Sequence, residues 1–174
     1  MANPVWRFED ECFTPEPRVK VEYVGPDPIR IAHSMRGLLV KIFEVEAIDL
    51  WERDFRWDTT ANPPMFFQRM YAARGFDAHS SIFVEIVIQG NQPKEKGANG
   101  KVTVWVGAKI RTEYELDTVF KRTPMYKAIR WVYNLYFYSE IRRGYIKLCT
   151  RLSERLINEI RAVLGMPLKP GVFR

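Results

Sequence analysis

Apolar and polar residues alternate along several stretches of the 174-residue chain. Alternation with a period of two is typical of a half-buried β-strand. The strand-like stretches cover residues 18–24, 47–58, 65–74, 80–89 and 101–116. The last is the most regular, and it is long enough, at about 50 Å, that we predict a bend within it, at Gly107.

A helical pattern follows the first strand. Asp27 suits the N-cap and Pro28 the first helical position, and apolar residues then recur at helical spacing. These residues are Ile31, Met35, Leu38 or Leu39, and Ile42. The pattern predicts a helix of about four turns. Gly37 within it suggests close packing against a neighbouring element.

The C-terminal third is also predicted to be helical. Thr123 and Pro124 form a capping pair, and Gly165 and Pro167 stop the pattern after Leu164. One unbroken helix of this length would measure about 60 Å, so we predict a break near residues 142–144. The second half has the clearer apolar stripe, made by Tyr145, Leu148 or Cys149, Leu152, Leu156, Ile160 and Val163.

The order of elements is strand, helix, antiparallel strands and long C-terminal helix. It predicts a single α+β domain over residues 18–164, after an extended, proline-containing N-terminal arm (residues 1–17) and before a C-terminal tail (residues 165–174). No stretch approaches the roughly 20 apolar residues of a membrane-spanning helix.

This order resembles the helix-grip fold of the START and Bet v 1-like superfamily over about residues 18–164. The segment "FKRTPMYKAIRWVYNLYFYSEIRRGYIKLCTRLSERLINEI" is similar to the polyketide-cyclase-like members, in which a proline-started, arginine-rich segment leads into the final helix. The resemblance implies a curved antiparallel sheet wrapped around a long C-terminal helix. It also implies a cavity between them for a hydrophobic or amphipathic small molecule, lipid-like or polycyclic. It implies no catalytic residue, and this chain shows fewer strands than is usual.

The stretch "AIDLWERDFRWD" supplies the candidate ligand site. Strict alternation places Ala47 and five candidate ligand residues on one face, and the five are Asp49, Trp51, Arg53, Phe55 and Trp57. Ile48 and Leu50 are apolar on the opposite face, so we predict a bulge near Leu50 and Trp51. An inward Arg53 among aromatic rings could bind the carboxylate or phosphate of a ligand. The alternatives are an internal ion pair, with Asp49 as the nearest partner, or an exposed sheet edge.

Glu85 is a weak catalytic candidate. It interrupts an apolar run in which both faces of the strand are otherwise apolar, and a carboxylate held there could act as a general base. The alternative is an ion pair across the sheet with Lys109 or Arg111.

Positive charge is concentrated in the C-terminal third. Residues 121–174 contain 12 basic and 3 acidic residues, a net charge of +9, whereas residues 1–120 carry −3. On the final helix Arg143, Lys147, Arg151 and Arg155 recur at intervals of four and form one cationic row. Such a row suits nucleic acid, a ribonucleoprotein or an anionic membrane surface, and the alternative is a solvated helix face.

Other chemistry is weakly indicated. The two histidines, His33 and His79, lie in different elements and Cys12 is far from Cys149, so neither a metal site nor a cofactor is predicted. Neither a signal peptide nor a disulfide framework is recognisable, which favours a cytoplasmic protein.

These patterns favour one function over two alternatives. The first hypothesis is binding of a hydrophobic small molecule in the cavity between the sheet and the C-terminal helix. The second is a basic adaptor that docks on nucleic acid, a ribonucleoprotein or an anionic membrane surface through the final helices. The third is a cyclase-like or hydrolase-like enzyme that uses the same cavity.

Overall fold

The computed structural model describes residues 5–168. In this part of the chain one six-stranded antiparallel sheet is combined with three α-helices and two single-turn 3-10 helices. The strands are Val5–Glu11 (β1), Arg18–Pro26 (β2), Leu50–Asp58 (β3), Met65–Gly75 (β4), Ser80–Asn91 (β5) and Asn99–Glu115 (β6). The α-helices are Arg30–Phe43 (α1), Pro124–Tyr136 (α2) and Ser139–Val163 (α3). The predicted α+β class is confirmed.

The 17-residue strand β6 is the axis of the sheet. One of its edges pairs with β5, and the sheet continues through β4 to β3. The other edge pairs with two strands in turn, because β2 lies along residues 99–107 and β1 along residues 109–115. The partner changes beside Gly107, where the sequence predicts a bend. The sheet is curved and not closed, and with its long C-terminal helix it is compatible with a helix-grip topology.

The N-terminal segment is more regular than the predicted extended arm. Residues 5–11 form β1, a regular strand that pairs with β6 along its whole length. Its aromatic side chains do dock on the body, since the rings of Trp6 and Phe8 each lie 6.4 Å from the ring of Tyr114. The first four residues of the arm and the last six of the predicted tail lie outside the described residues.

Helix α1 begins two residues later than its capping signals suggest. Asp27 adopts a positive φ of 50° and Ile29, not Asp27, occupies the N-cap. The predicted apolar positions are confirmed, since all of them are buried. The prediction about Gly37 is wrong, because it is exposed and a side chain there would meet nothing within 4 Å.

The C-terminal helical region breaks earlier than expected. Two residues, Phe137 and Tyr138, separate α2 from α3, whereas Gly144 lies inside α3. The Thr123 hydroxyl caps α2 as predicted, by accepting a hydrogen bond from the Tyr126 N–H at 3.3 Å. Gly165 ends α3 with a positive φ of 71°, and the hydrogen bonds that follow form a Schellman motif.

Helices α1 and α3 cover one face of the sheet, and side chains fill the space between. Residues with no exposed surface there include Ile31, Met35, Leu39, Ile86, Val104, Leu156 and Ile160. Interiors packed in this way have few voids larger than a water molecule. A ligand bound between the sheet and α3 would therefore have to displace core side chains.

A disulfide joins the N-terminal strands to the last helix. Cys12 lies between β1 and β2, Cys149 lies on the buried face of α3, and their Cα atoms are 5.9 Å apart. Beside it the Thr150 hydroxyl donates to the Cys12 carbonyl at 2.8 Å, and Arg142 forms an ion pair with Asp10. The expectation that the cysteines form no disulfide is wrong.

We expect replacement of both Cys12 and Cys149 by serine to lower the free energy of unfolding by about 2–5 kcal/mol, because the bond closes a loop of 137 residues in the unfolded chain. Thermal melts should show a fall in Tm of about 5–20 °C. Reductant should lower the Tm of the wild type and leave the double variant unchanged. Two free thiols in unfolded, unreduced protein would contradict the prediction.

Candidate functional site

The predicted ligand residues on β3 are divided between two faces of the sheet. The register between β3 and β4 shifts between Glu52 and Asp54, which places a bulge at Arg53. The predicted bulge is therefore present, two to three residues further along than expected. Trp51 pairs with Tyr71 on the face away from the helices, whereas Trp57 pairs with Phe66 on the helix-covered face.

Two of the five predicted ligand residues line one open depression on the uncovered face of the sheet. Trp51 and Arg53 meet Tyr71, Phe83 and Glu85 around a volume of about 650 Å³. Phe55 and Trp57 are half-exposed near the edge of the opposite face, and Asp49 lies in the 3-10 turn before β3. Arg53 itself is exposed rather than inward, and no ion pair joins it to Asp49. Ligand binding by these residues stays a prediction.

Glu85 is held by neighbours other than those expected. Its carboxylate accepts from Arg18 at 2.6 Å and from the Tyr71 hydroxyl at 3.2 Å, and Arg69 lies 3.9 Å away. The alternative partners named above, Lys109 and Arg111, instead pair with Glu9. Glu85 therefore sits in an ion-pair cluster on the uncovered sheet face, and the structure adds no support for a general base.

The cationic row of α3 points away from the sheet. Arg143, Lys147, Arg151 and Arg155 are all exposed, whereas the buried residues of α3 lie on the opposite side of the helix. Within residues 5–168 none of the four forms an ion pair. The row extends about 18 Å along the helix. Four cations without ion-pair partners among the described residues therefore face solvent in one row along the helix.

Helix α2 is turned with its polar face inward. Asn134 is its only buried residue, and it accepts a hydrogen bond from the buried Tyr114 hydroxyl at 2.6 Å. The guanidinium of Arg130 lies 4.9 Å from the centre of the Tyr114 ring. Burial, partly offset by the Asn134 hydrogen bond, raises the pKa of Tyr114 above its ordinary value. The contacts that fix α2 to the body are thus mostly polar.

The apolar side chains of α2 consequently face solvent. Trp131 is 55% exposed, and Phe137, just beyond the helix, is 69% exposed. The other large exposed side chains of α2 are Met125, Ile129, Val132, Tyr133, Leu135 and Tyr136. An apolar face of this extent on a single helix is unusual for a protein surface.

Sequence reasoning missed this surface. The periodicity of residues 124–136 shows an amphipathic helix, but it does not show which face is inward. One available signal was the absence of any acidic residue between Asp117 and Glu140, in a stretch that also holds four basic residues and many aromatic ones.

A second polar cluster fixes the junction of α2 and α3. Asp77 accepts hydrogen bonds from the hydroxyls of Tyr138 at 2.6 Å and Tyr145 at 3.0 Å. Because the single proton of Tyr138 goes to Asp77, the Ser80 hydroxyl 2.7 Å away is the donor to Tyr138. Burial and the Asp77 hydrogen bond both raise the pKa of Tyr138 above its ordinary value.

Asp77 itself is held in its charged form. Burial raises its pKa, but the hydrogen bonds from Tyr138, from the N–H groups of His79 and Ser80, and from Tyr145 outweigh burial. The net effect is a pKa below the ordinary value.

Comparison with known proteins finds no matching protein family and no matching curated protein. Among residues 5–168, none of the helices combines the length and apolar character needed to cross a bilayer.

We expect Asp77→Asn to lower the free energy of unfolding at pH 7 by about 1 kcal/mol, a small value because the residue is largely exposed to solvent. A carboxylate whose pKa is lowered by folding stabilises the protein above about pH 4, and this contribution is lost as the pH falls through the folded-state pKa. The gap between wild type and variant should therefore narrow as the pH falls below about 4. Denaturant titrations at a series of pH values, with Asp49→Asn as control, measure it; a gap that does not change with pH would contradict the prediction.

Proposed function

We propose that the protein docks on an anionic membrane surface through the outward apolar face of α2, assisted by the cationic row of α3. The observation that carries the proposal is the orientation of α2, which presents Trp131, Leu135 and their apolar neighbours to solvent. Aliphatic side chains with tryptophan and tyrosine are the residues by which interfacial helices enter the boundary between headgroups and acyl chains.

The surrounding charge fits the same partner. Lys127 on α2 is exposed and has no ion pair within the described residues, and the cationic row begins at Arg143 in the second turn of α3. Each Lys or Arg close to an anionic leaflet contributes about 1 kcal/mol to binding. An apolar face and a set of exposed cations are two different signals for a membrane, and stable membrane attachment generally needs two.

Other occupants fit less well. Nucleic acid would use the cations, but it would leave aliphatic residues such as Ile129, Val132 and Leu135 uncovered. A second copy of the chain would cover the apolar face, but it would bring two sets of cations together with no acidic residue on α2 to match them.

We further propose that the chain is a helix-grip protein of the START and Bet v 1-like kind in which core side chains occupy the usual cavity. The compatible topology and the filled space between the sheet and α3 support this proposal. A cytoplasmic location stays a prediction. The Cys12–Cys149 disulfide counts against it, since disulfides are most frequent in oxidising compartments.

We expect the double variant Trp131→Gln and Leu135→Gln to bind vesicles of phosphatidylcholine with 30% phosphatidylglycerol about 30-fold more weakly than wild type. Two apolar side chains then no longer leave water, a loss of about 2 kcal/mol. Both positions are exposed and glutamine is a good helix former, so the Tm should change by less than about 3 °C. Vesicle co-sedimentation measures the affinity.

The matched control replaces two other exposed apolar residues, Val24 and Ile48, by threonine. These residues lie outside α2, so binding should equal that of the wild type. Binding to phosphatidylcholine alone should be weak. A wild type that ignores anionic vesicles at low salt would end the proposal, and a concentration-dependent dimer that the α2 double variant abolishes would assign the apolar face to a second copy.

We expect Arg151→Gln with Arg155→Gln to weaken binding to the same vesicles by about 2 kcal/mol and to make the remaining binding less sensitive to salt, because two cations leave the anionic surface. Folding stability should change little or rise slightly, since the row consists of like charges spaced four residues apart. A salt series from low to high ionic strength measures both effects. Equal binding and equal salt dependence in variant and wild type would show that the row is only a solvated face.

A further inference from the structure

A pocket of about 470 Å³ lies between α2 and the end of β6. Residues from both elements and from the turn before β5 line it, including His79, Ser81, Tyr114, Glu115, Tyr126 and Arg130. It belongs to neither the predicted ligand site on β3 nor the apolar face of α2. Its polar lining therefore needs an account of its own.

Arg130 is the central cation of this pocket. Its side chain is partly buried and surrounded by aromatic rings, since the guanidinium carbon lies 4.9 to 5.7 Å from the ring centres of Tyr114, Tyr126 and Tyr133. Its Nε donates to the Tyr126 hydroxyl at 3.0 Å. Within residues 5–168 no carboxylate lies within ion-pair distance of Arg130.

A partly buried guanidinium is normally paired with an anion, and Arg130 has no such partner among the described residues. Removing a charge from water costs free energy that a counter-charge normally offsets, and tyrosine rings offset only part of it. The other lysine or arginine that lines the pocket, Lys121, is already paired with Asp117 at 2.6 Å. The unmatched positive charge of the pocket is therefore that of Arg130.

The lining also supplies a hydrogen-bond donor. The Tyr126 hydroxyl accepts from Arg130, so its own proton is free to be donated. The Ser80 hydroxyl, by contrast, is taken up by Tyr138 and Thr112. A guanidinium fork beside a free hydroxyl donor matches the oxygens of a phosphate group.

The carboxylates at the pocket limit the charge of its ligand. Glu113 is neutralised by Arg7 at 2.6 Å, but Glu115 is exposed and has no ion pair in the described part of the chain. Glu115 therefore repels an anion in this pocket and should keep the affinity modest. Because Arg130 attracts an anion and Glu115 repels it, removing either charge should change the affinity of the pocket for an anion in opposite directions.

We propose that the pocket binds the phosphate group of a phosphate ester, with Arg130 as the principal contact and the hydroxyl of Tyr126 as a further donor. The ester is either a free metabolite or a lipid headgroup, and only the second source rests on the proposed membrane docking.

The experiment uses sn-glycerol 3-phosphate as the soluble probe, in NMR titrations of the full chain up to about 10 mM. Arg130→Gln should weaken binding about tenfold or more, and Arg130→Lys should recover only part of it, because a lysine lacks the planar fork. Glu115→Gln should strengthen binding about two- to threefold. Lys94→Gln, which changes an exposed cation in the loop between β5 and β6, should leave it unchanged.

A second arm measures co-sedimentation with vesicles that contain phosphatidic acid or, at equal charge, phosphatidylserine. If the ligand is a headgroup, the wild type should bind vesicles with phosphatidic acid more tightly than vesicles with phosphatidylserine. Arg130→Lys keeps the charge but should lose this preference. Binding of glycerol 3-phosphate without such a preference assigns the pocket to a free ester. The proposal is overturned if wild type binds neither probe, or if folded Arg130→Lys and Glu115→Gln both bind glycerol 3-phosphate as wild type does. If the wild type binds glycerol 3-phosphate but does not bind anionic vesicles, the membrane-docking proposal alone is wrong.

Discussion

The buried hydroxyl of Tyr114 joins the sheet to the helix that carries the largest exposed apolar surface described above. It lies near the end of β6, where Trp6 and Phe8 from β1 cover its ring and leave it 1% exposed. A buried tyrosine hydroxyl needs a hydrogen-bond partner, because leaving it unpaired costs about 1–3 kcal/mol. The partner is Asn134, which lies on the polar side of α2. This hydrogen bond is one of the contacts that hold the polar side of α2 against the body, with its apolar side outward.

Tyr114 can contact α2 because β6 is a long strand of 17 residues. The core between the sheet and helices α1 and α3 extends along β6 as far as Ile110. Near the end of the strand, Tyr114 instead contacts α2, through Asn134 and Arg130. The pocket around Arg130 and the apolar surface of α2 are opposite sides of the same covering helix. A ligand in the pocket and a partner on the surface would thus both act on the position of α2.

Sequence patterns predicted the elements that depend on local periodicity. The alternation in β2, β4, β5 and β6, the capping by Thr123 and the bulge in β3 were all recognisable, because each depends on residues close together in the chain. The bulge shows the limit of this reasoning. The bulge lies two to three residues further along than predicted, so Trp51 lies on the uncovered face, whereas Phe55 and Trp57 lie on the helix-covered face. Each one-residue shift of register exchanges the faces of a strand.

Features that depend on distant residues could not be predicted in this way. Cys12 and Cys149 meet only because β1 and α3 pack together, and no spacing rule connects residues so far apart. The orientation of α2 depends on a hydrogen bond between residues on different elements. The break between α2 and α3 likewise occurs where Tyr138 reaches Asp77, and not at Gly144, where a helix propensity argument places it.

The disulfide also determines how the molecule carries mechanical load. Cys149 anchors α3 at its third turn, so traction applied at the surface of α2 reaches the N-terminal strands through a covalent bond as well as through α3 packing. Between that bond and α2 lie only the first turns of α3, held by Asp77 and Asp10. A force on α2 would therefore act on these polar contacts before it reached the core. We expect α2 and the start of α3 to be displaced more easily than the part of α3 that the disulfide holds.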